Sequence, residues 1–394
     1  MVNVTYCLFI CLGIFAVGDI LAVATKAKMS SVFVALMLFL IGFLTGILPK
    51  DIIDQARLTQ LASWASVFVV FHMGTTINLG ELFKEWRTVA MSCLAMLVAI
   101  VSILIVIPLI GKEAAIVSIP VVNGGIIATQ IMVDGATEKG LALAAALGTI
   151  VYAVQKFVGT PPASFFGLKE AEALLSEHRK RKAQGLSAAG ARPAEEQKTK
   201  NTIYDVLGLD KYYTHFVCLG SVAFFGWLAY QLQAKTGVNY SIWVLFFGAF
   251  ANQIGIVPSK VLDKGRAIGL LNMAVFAGII PALAKINVAD LSTLAFQTIV
   301  VFAVVLVGSF LVFYVLPTWK FIGSRNLAVG IAMAQLLGFP ATYLIANEVA
   351  TAAAENEEER EIILKRIMPA YVVAGLASVT TLSIVIAGVF VKFL

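Results

Sequence analysis

The sequence predicts an all-α integral membrane protein with about ten transmembrane helices, two re-entrant or broken hairpins, and two inverted five-span repeats. Three observations carry that expectation. The 394 residues are 60% hydrophobic and only 13% charged, with a mean hydropathy of +0.91, whereas a soluble domain carries roughly a quarter charged residues. The chain also repeats itself: residues 46–82, moved along by 209 positions without a gap, fall on 255–291 with ten identities. These include Gly46/Gly255, Pro49/Pro258, Asp54/Asp263, Arg57/Arg266 and Asn78/Asn287, so shared apolar composition is a poor explanation. The third observation is a pair of apolar stretches, one in each repeat, that glycine and proline interrupt.

A helix that crosses the hydrocarbon core needs about 20 mostly apolar residues. In the first repeat such runs occupy 3–25, 30–48, 61–79, 88–110 and 141–166. The opening run, MVNVTYCLFICLGIFAV, lacks a basic n-region and is expected to stay as a helix. In the second repeat the runs are 212–232, 239–257, 267–284, 296–317 and 367–391. None shows the ten-residue alternation of a membrane barrel. The four cysteines, Cys7, Cys11, Cys93 and Cys218, all lie in apolar runs and read as small packing residues.

Residues 112–138 and 322–351 do not fit the spanning pattern. The first is broken at Pro120 and Asn123-Gly124-Gly125, the second at Gly338-Phe339-Pro340. Proline removes a backbone donor and glycine weakens a helix. A broken backbone at membrane depth persists only where protein or a water-filled cavity satisfies the freed groups. Each stretch is therefore expected to be a re-entrant hairpin or an interrupted helix.

Residues 168–205 form the only long polar stretch and contain His178-Arg179-Lys180-Arg181-Lys182. They are expected to be a flexible cytoplasmic linker between an N-terminal membrane repeat, 1–167, and a C-terminal one, 206–394. Five spans per repeat put both termini outside. Of the 29 Lys and Arg, 21 then fall inside and 7 outside, leaving Lys156 within a span. That split obeys the positive-inside rule. The net charge of +6 is thus an orientation signal and no argument for nucleic-acid binding.

Long internal repeats with paired helix breaks are how many secondary transporters are built. A helix N-terminus carries unpaired N–H groups and about half a positive charge. Half-helices that start after Asn123-Gly124-Gly125 and after Gly338-Phe339-Pro340 would aim such ends at the bilayer midplane. That arrangement suits a small anionic substrate, while unwound carbonyls suit Na⁺. Thr129, Thr342, Asn123 and Asn347 offer further oxygens. Lys156 is a candidate partner for a substrate carboxylate, and Asp134 and Glu348, which end the two half-helices, are candidate coupling-ion ligands together with Asn347. Asp19 reads as a tethered interfacial carboxylate and His72 as a packed, hydrogen-bonded histidine. Asp54/Arg57 and Asp263/Arg266 are spaced for small i,i+3 surface pairs.

Residues Gly338-Phe339-Pro340-Ala341-Thr342-Tyr343-Leu344-Ile345-Ala346-Asn347-Glu348-Val349, followed by Arg366-Ile367-Met368-Pro369, resemble the second hairpin of the bacterial sodium/glutamate symporter family. The ten-span plan with a central loop is also similar. The first hairpin departs from the family's Gly-Gly-His-Gly-Thr type of stretch, since Asn123-Gly124-Gly125-Ile126-Ile127-Ala128-Thr129 holds no histidine. The resemblance implies a bacterial inner-membrane transporter, a carboxylate or amino acid such as glutamate as substrate, an elevator-like mechanism and a homodimer. No cofactor is expected beyond Na⁺ or H⁺ as coupling ion.

Two other classes are open to a helical membrane chain. An intramembrane enzyme needs paired Asp, Ser/His or zinc-ligand helices, and the three histidines, His72, His178 and His215, form no HExxH pattern. A channel or holin-like protein, or a proton-coupled exporter or antiporter, remains the alternative to a Na⁺ symporter.

Overall fold

The computed structural model describes residues 4–24, 31–76, 84–183, 208–338 and 341–394. Among the described residues all regular structure is helical, and seven helical segments are long and apolar enough to cross a membrane. The helices of the first half are α1 (Val4–Ala24), α2 (Ser31–Leu44), α3 (Ile52–Gln55), α4 (Leu58–Thr76), α5 (Trp86–Ile105), α6 (Ile107–Ile110), α7 (Lys112–Val122), α8 (Ile126–Glu138) and α9 (Ala142–Ala183). Those of the second half are α10 (His215–Thr236), α11 (Tyr240–Gln253), α12 (Val261–Lys264), α13 (Ile268–Gly278), α14 (Leu291–Phe310), α15 (Arg325–Leu337), α16 (Ala341–Ala353), α17 (Glu357–Gly375) and α18 (Ser383–Phe390). A π-helical segment, Leu376–Leu382, joins α17 to α18.

Three of the ten predicted spans differ from expectation. α2 and α11 have only 14 residues each, about 21 Å at 1.5 Å per residue, short of the ~30 Å hydrocarbon core. Each stops at a glycine turn with positive φ, Gly46 at +73° and Gly255 at +77°, which a residue without Cβ enters freely. α4 has the length, 19 residues, but Thr59, Gln60, Ser63, Ser66 and His72 lower its hydropathy.

The polar stretch 168–205 also needs correction. Its first part is the end of the 42-residue α9, since Lys, Glu, Ala and Leu favour helix whatever their polarity; residues 184–205 lie outside the described ones. Forty-two residues make about 63 Å of helix, so α9 extends well past its apolar run, 141–166. There Arg179 forks onto Glu359, Nε to Oε1 at 2.7 Å and Nη2 to Oε2 at 2.9 Å. Arg179 also reaches Glu355 at 3.0 Å, and His178 pairs with Glu358 at 3.4 Å. The guanidinium hydrogen bonds hold the Glu359 carboxyl down to about 2, and the Glu355 backbone N–H adds to the effect.

Helix boundaries recur at the sequence offset. α2 and α11 begin 209 positions apart and have the same length, as do α3 and α12. Arg57 and Arg266, also 209 apart, both adopt a left-handed backbone, φ 61° and 53°. Neither expected i,i+3 pair forms among the described residues. Asp263 faces His72 Nε2 at 3.9 Å instead. His72 Nδ1 accepts from Leu262 N–H at 3.2 Å, so this histidine satisfies an orphan donor at the start of α12.

The helices pack most closely within two groups, which also touch each other where α11 meets α18 and α13 meets α8. α4 packs on α10, α11 and α13, and α1 on α2. α9 packs on α7, α8, α15 and α16, while α17 and α18 complete that group with α5 and α14. Within the first group, Gly74 and Gly248 let α4 and α11 touch backbone to backbone; a Cβ on Gly74 would lie 2.5 Å from the Leu245 carbonyl oxygen.

Candidate functional site

The two predicted breaks are present in the backbone. α7 ends at Val122 with Asn123 as its C-cap, Gly124 follows, and Gly125 is extended at φ −100°, ψ −163°, before α8 begins at Ile126. α15 ends at Leu337 with Gly338 as its C-cap, φ +68°, ψ 172°, and α16 begins at Ala341. Pro340 lies outside the described residues. Both downstream half-helices have 13 residues. No side chain caps the N-terminus of α8.

Both breaks meet at one side chain of the last helix. A Cβ built on Gly125 would lie 3.0 Å from Val379 Cγ1, and one on Gly338 would lie 2.8 Å from the same atom. A Cβ on Gly124 would touch Ser383 at 2.8 Å. Gly375, just before the π segment, presses on Thr342 Oγ1, 2.8 Å from its own built Cβ. At Gly338 the positive φ also favours glycine, while a side chain at Gly124, Gly125 or Gly375 would require these neighbours to shift. The π segment lies between Gly375 and Ser383, and such insertions are frequent at functional sites.

Five of the predicted residues are therefore brought together: Asn123, Gly124, Gly125, Gly338 and Thr342. Asn123 and Thr342 are fully buried. Asn123 Nδ2 donates to the Ile119 carbonyl at 2.8 Å, and its Oδ1 has no partner among the described residues. Thr342 Oγ1 is likewise unpartnered. Thr129 is buried in α8, but its hydroxyl donates back to the Gly125 carbonyl at 3.1 Å.

The remaining predicted residues stand apart. Asp134 is eight residues, about 12 Å, along α8 from Ile126. It accepts from Gln130 Nε2 at 2.6 Å. Asn347 is half-buried and donates to the Tyr343 carbonyl at 3.0 Å, while Glu348 is exposed. Lys156 is half-buried on α9, with no ion pair among the described residues.

Two features of the site escaped the sequence reading. Gln155, 2% exposed, donates from Nε2 to the Gly124 carbonyl at 3.0 Å and leaves Oε1 unpartnered. Gln335, 1% exposed, has neither Oε1 nor Nε2 partnered among the described residues. A glutamine inside an apolar run was the available signal. The π segment had none, because no proline or glycine marks its interior.

A cavity of about 420 Å³ opens beside the first break. Its lining includes Ile126, the first residue of α8, and Tyr152 of α9, together with Phe15, Asp19, Asn272 and Phe276 of α1 and α13. Asp19, expected to be an interfacial carboxylate, is thus a wall residue between the two helix groups. The volume is that of a small-molecule site. Among the described residues no group of three or more His, Cys, Asp or Glu could hold a metal ion. Comparison with protein-family models and with curated proteins finds no match to the chain.

Proposed function

We propose that the chain is a secondary active transporter that couples a small organic anion, a carboxylate or an amino acid such as glutamate, to a cation gradient, most simply Na⁺. The observation that carries the reading is the convergence of Gly125 and Gly338 on Val379. Two helix N-termini that approach one point place positive ends and free N–H groups where an anion can be held at membrane depth. The cavity between the helix groups supports access to that point.

In this reading the two halves are inverted repeats, and the group containing both breaks moves against the group built on α4, α10, α11 and α13. Polar contacts support one sidedness. Lys139 bonds the Leu394 carbonyl and Cys7 bonds Gln55, at the end assigned outside. Arg179–Glu359, Arg366–Ile322 and Lys264–Asp210 join ends assigned inside. The resemblance to the sodium/glutamate symporters supports a homodimer in a bacterial inner membrane.

The test is a thermal-shift screen of purified protein against carboxylates and amino acids, in Na⁺ and in K⁺. A saturable, Na⁺-enhanced stabilisation by at least one carboxylate is expected. Flat responses to every carboxylate in both salts would refute an anion site.

A further inference from the structure

Around the paired breaks lies a set of buried oxygens with nothing to bond. Asn123 Oδ1, Gln155 Oε1 and Thr342 Oγ1 are all unpartnered among the described residues, on side chains no more than 2% exposed. Leaving a buried polar atom unsatisfied is costly, and these three flank the same pair of breaks.

Geometry ties them together. Gln155 is bonded to the Gly124 carbonyl, next to Asn123. Thr342 Oγ1 lies against Gly375, and a Cβ on Gly375 would also come within 3.2 Å of the Gly338 carbonyl carbon. Gly338 and Gly125 in turn share Val379 Cγ1. Gln335 stands at the margin: its neighbour Leu336 packs on Gly159, one turn along α9 from Gln155.

The donors are amide and hydroxyl oxygens, hard ligands that suit an oxygen-seeking cation. No carboxylate is among them. Asp134 and Glu348 lie well along their half-helices, and a divalent ion stripped of water without carboxylates would lack charge compensation. Nitrogen and sulfur ligands for a transition metal are missing from the set as well.

We infer that Asn123, Gln155 and Thr342, with Gln335 at the margin, form the seat of a dehydrated monovalent cation of Na⁺ type between the two breaks and the π segment of the last helix. The inference deepens the transport reading by moving the coupling ion from Asp134, Asn347 and Glu348 to this neutral set. The cation there offsets the charge of an anion held by the adjoining N-termini.

The seat can be tested without any carboxylate. Full-length protein in detergent is melted in NaCl, KCl and choline chloride at constant ionic strength, as wild type, Thr342→Val, Gln335→Met and Thr298→Val. Thr342→Val and Thr298→Val each remove a buried, unpartnered hydroxyl at nearly constant shape, so both should fold. Thr298 belongs to α14, which supplies no residue of either break. Wild type and Thr298→Val should show saturable Na⁺ stabilisation, with about tenfold weaker Na⁺ affinity or no response in Thr342→Val and a smaller loss in Gln335→Met. A Na⁺ response that survives intact in Thr342→Val would mean that buried waters alone satisfy these oxygens and would overturn the seat. A wild type indifferent to Na⁺ would overturn it too. Either failure leaves the carboxylate screen, and with it the anion site, to be judged separately.

Discussion

Gly338 meets two demands at once. Its φ of +68° with ψ 172° lies in a region essentially reserved for glycine, where an L side chain is strained by roughly 1–3 kcal/mol, and any Cβ there would press on Val379 at 2.8 Å. Gly338→Val is therefore expected to lower the melting temperature and abolish carboxylate-dependent stabilisation, both read in one thermal-shift series. Asn347 and Asn123 differ in burial. A position one turn into α16 made Asn347 a candidate ligand, but its side chain is only half-buried, whereas Asn123 is fully buried beside the first break. Asn347→Ala should leave carboxylate affinity within a few-fold of wild type, whereas Asn123→Ala should weaken it by about tenfold or more. Comparable losses in both would contradict this assignment. The glycines and Asn123 were legible because breaks have a residue signature. Gln155 and Gln335 were not, because burial without a partner is a property of the packed fold.

At the scale of elements, the paired breaks and the longer apolar spans were legible, while lengths and helix type were less so. α2 and α11 stop at Gly46 and Gly255, inside runs that hydropathy alone carries on to full span length. α9 continues where polar composition suggested a linker, and Lys169–Glu172 at 3.1 Å is one of the local pairs along that extension. The extension matters because Arg179 clamps it to α17. Glu359 is held at about 2, below its ordinary 4.5. A depressed carboxyl contributes stability that is fully present above the ordinary value and is lost as pH falls through the folded one. Wild-type melting temperature should thus fall between about pH 4.5 and 2, and Glu359→Gln should flatten part of that fall while being less stable at pH 7. Parallel pH profiles for the two proteins would show that the clamp contributes nothing.

For the whole molecule, the helix starts and turns that recur 209 positions apart were legible because turn residues such as Pro49/Pro258 and Arg57/Arg266 must keep their geometry, whereas apolar faces drift freely. The grouping of helices was not, since it rests on close approaches such as Gly74 on α11 that no periodicity reports. Gly74→Val should prevent that approach and yield aggregated or heterogeneous protein by size-exclusion chromatography, while Gly13→Val, which meets nothing within 4 Å, should behave as wild type. Sidedness makes a separate prediction: single cysteines in residues 184–205 and beside Leu394 should label from opposite faces of the membrane. The central claim, coupled anion transport through the paired breaks, is tested most directly by flux. Purified protein in liposomes, loaded with one radiolabelled carboxylate chosen from the binding screen, is given a Na⁺ gradient, a proton gradient or neither. Carboxylate movement that follows the Na⁺ gradient and collapses in Gly338→Val is the predicted result. Carboxylate movement that is equally fast without any cation gradient, or none under either gradient, would contradict the account.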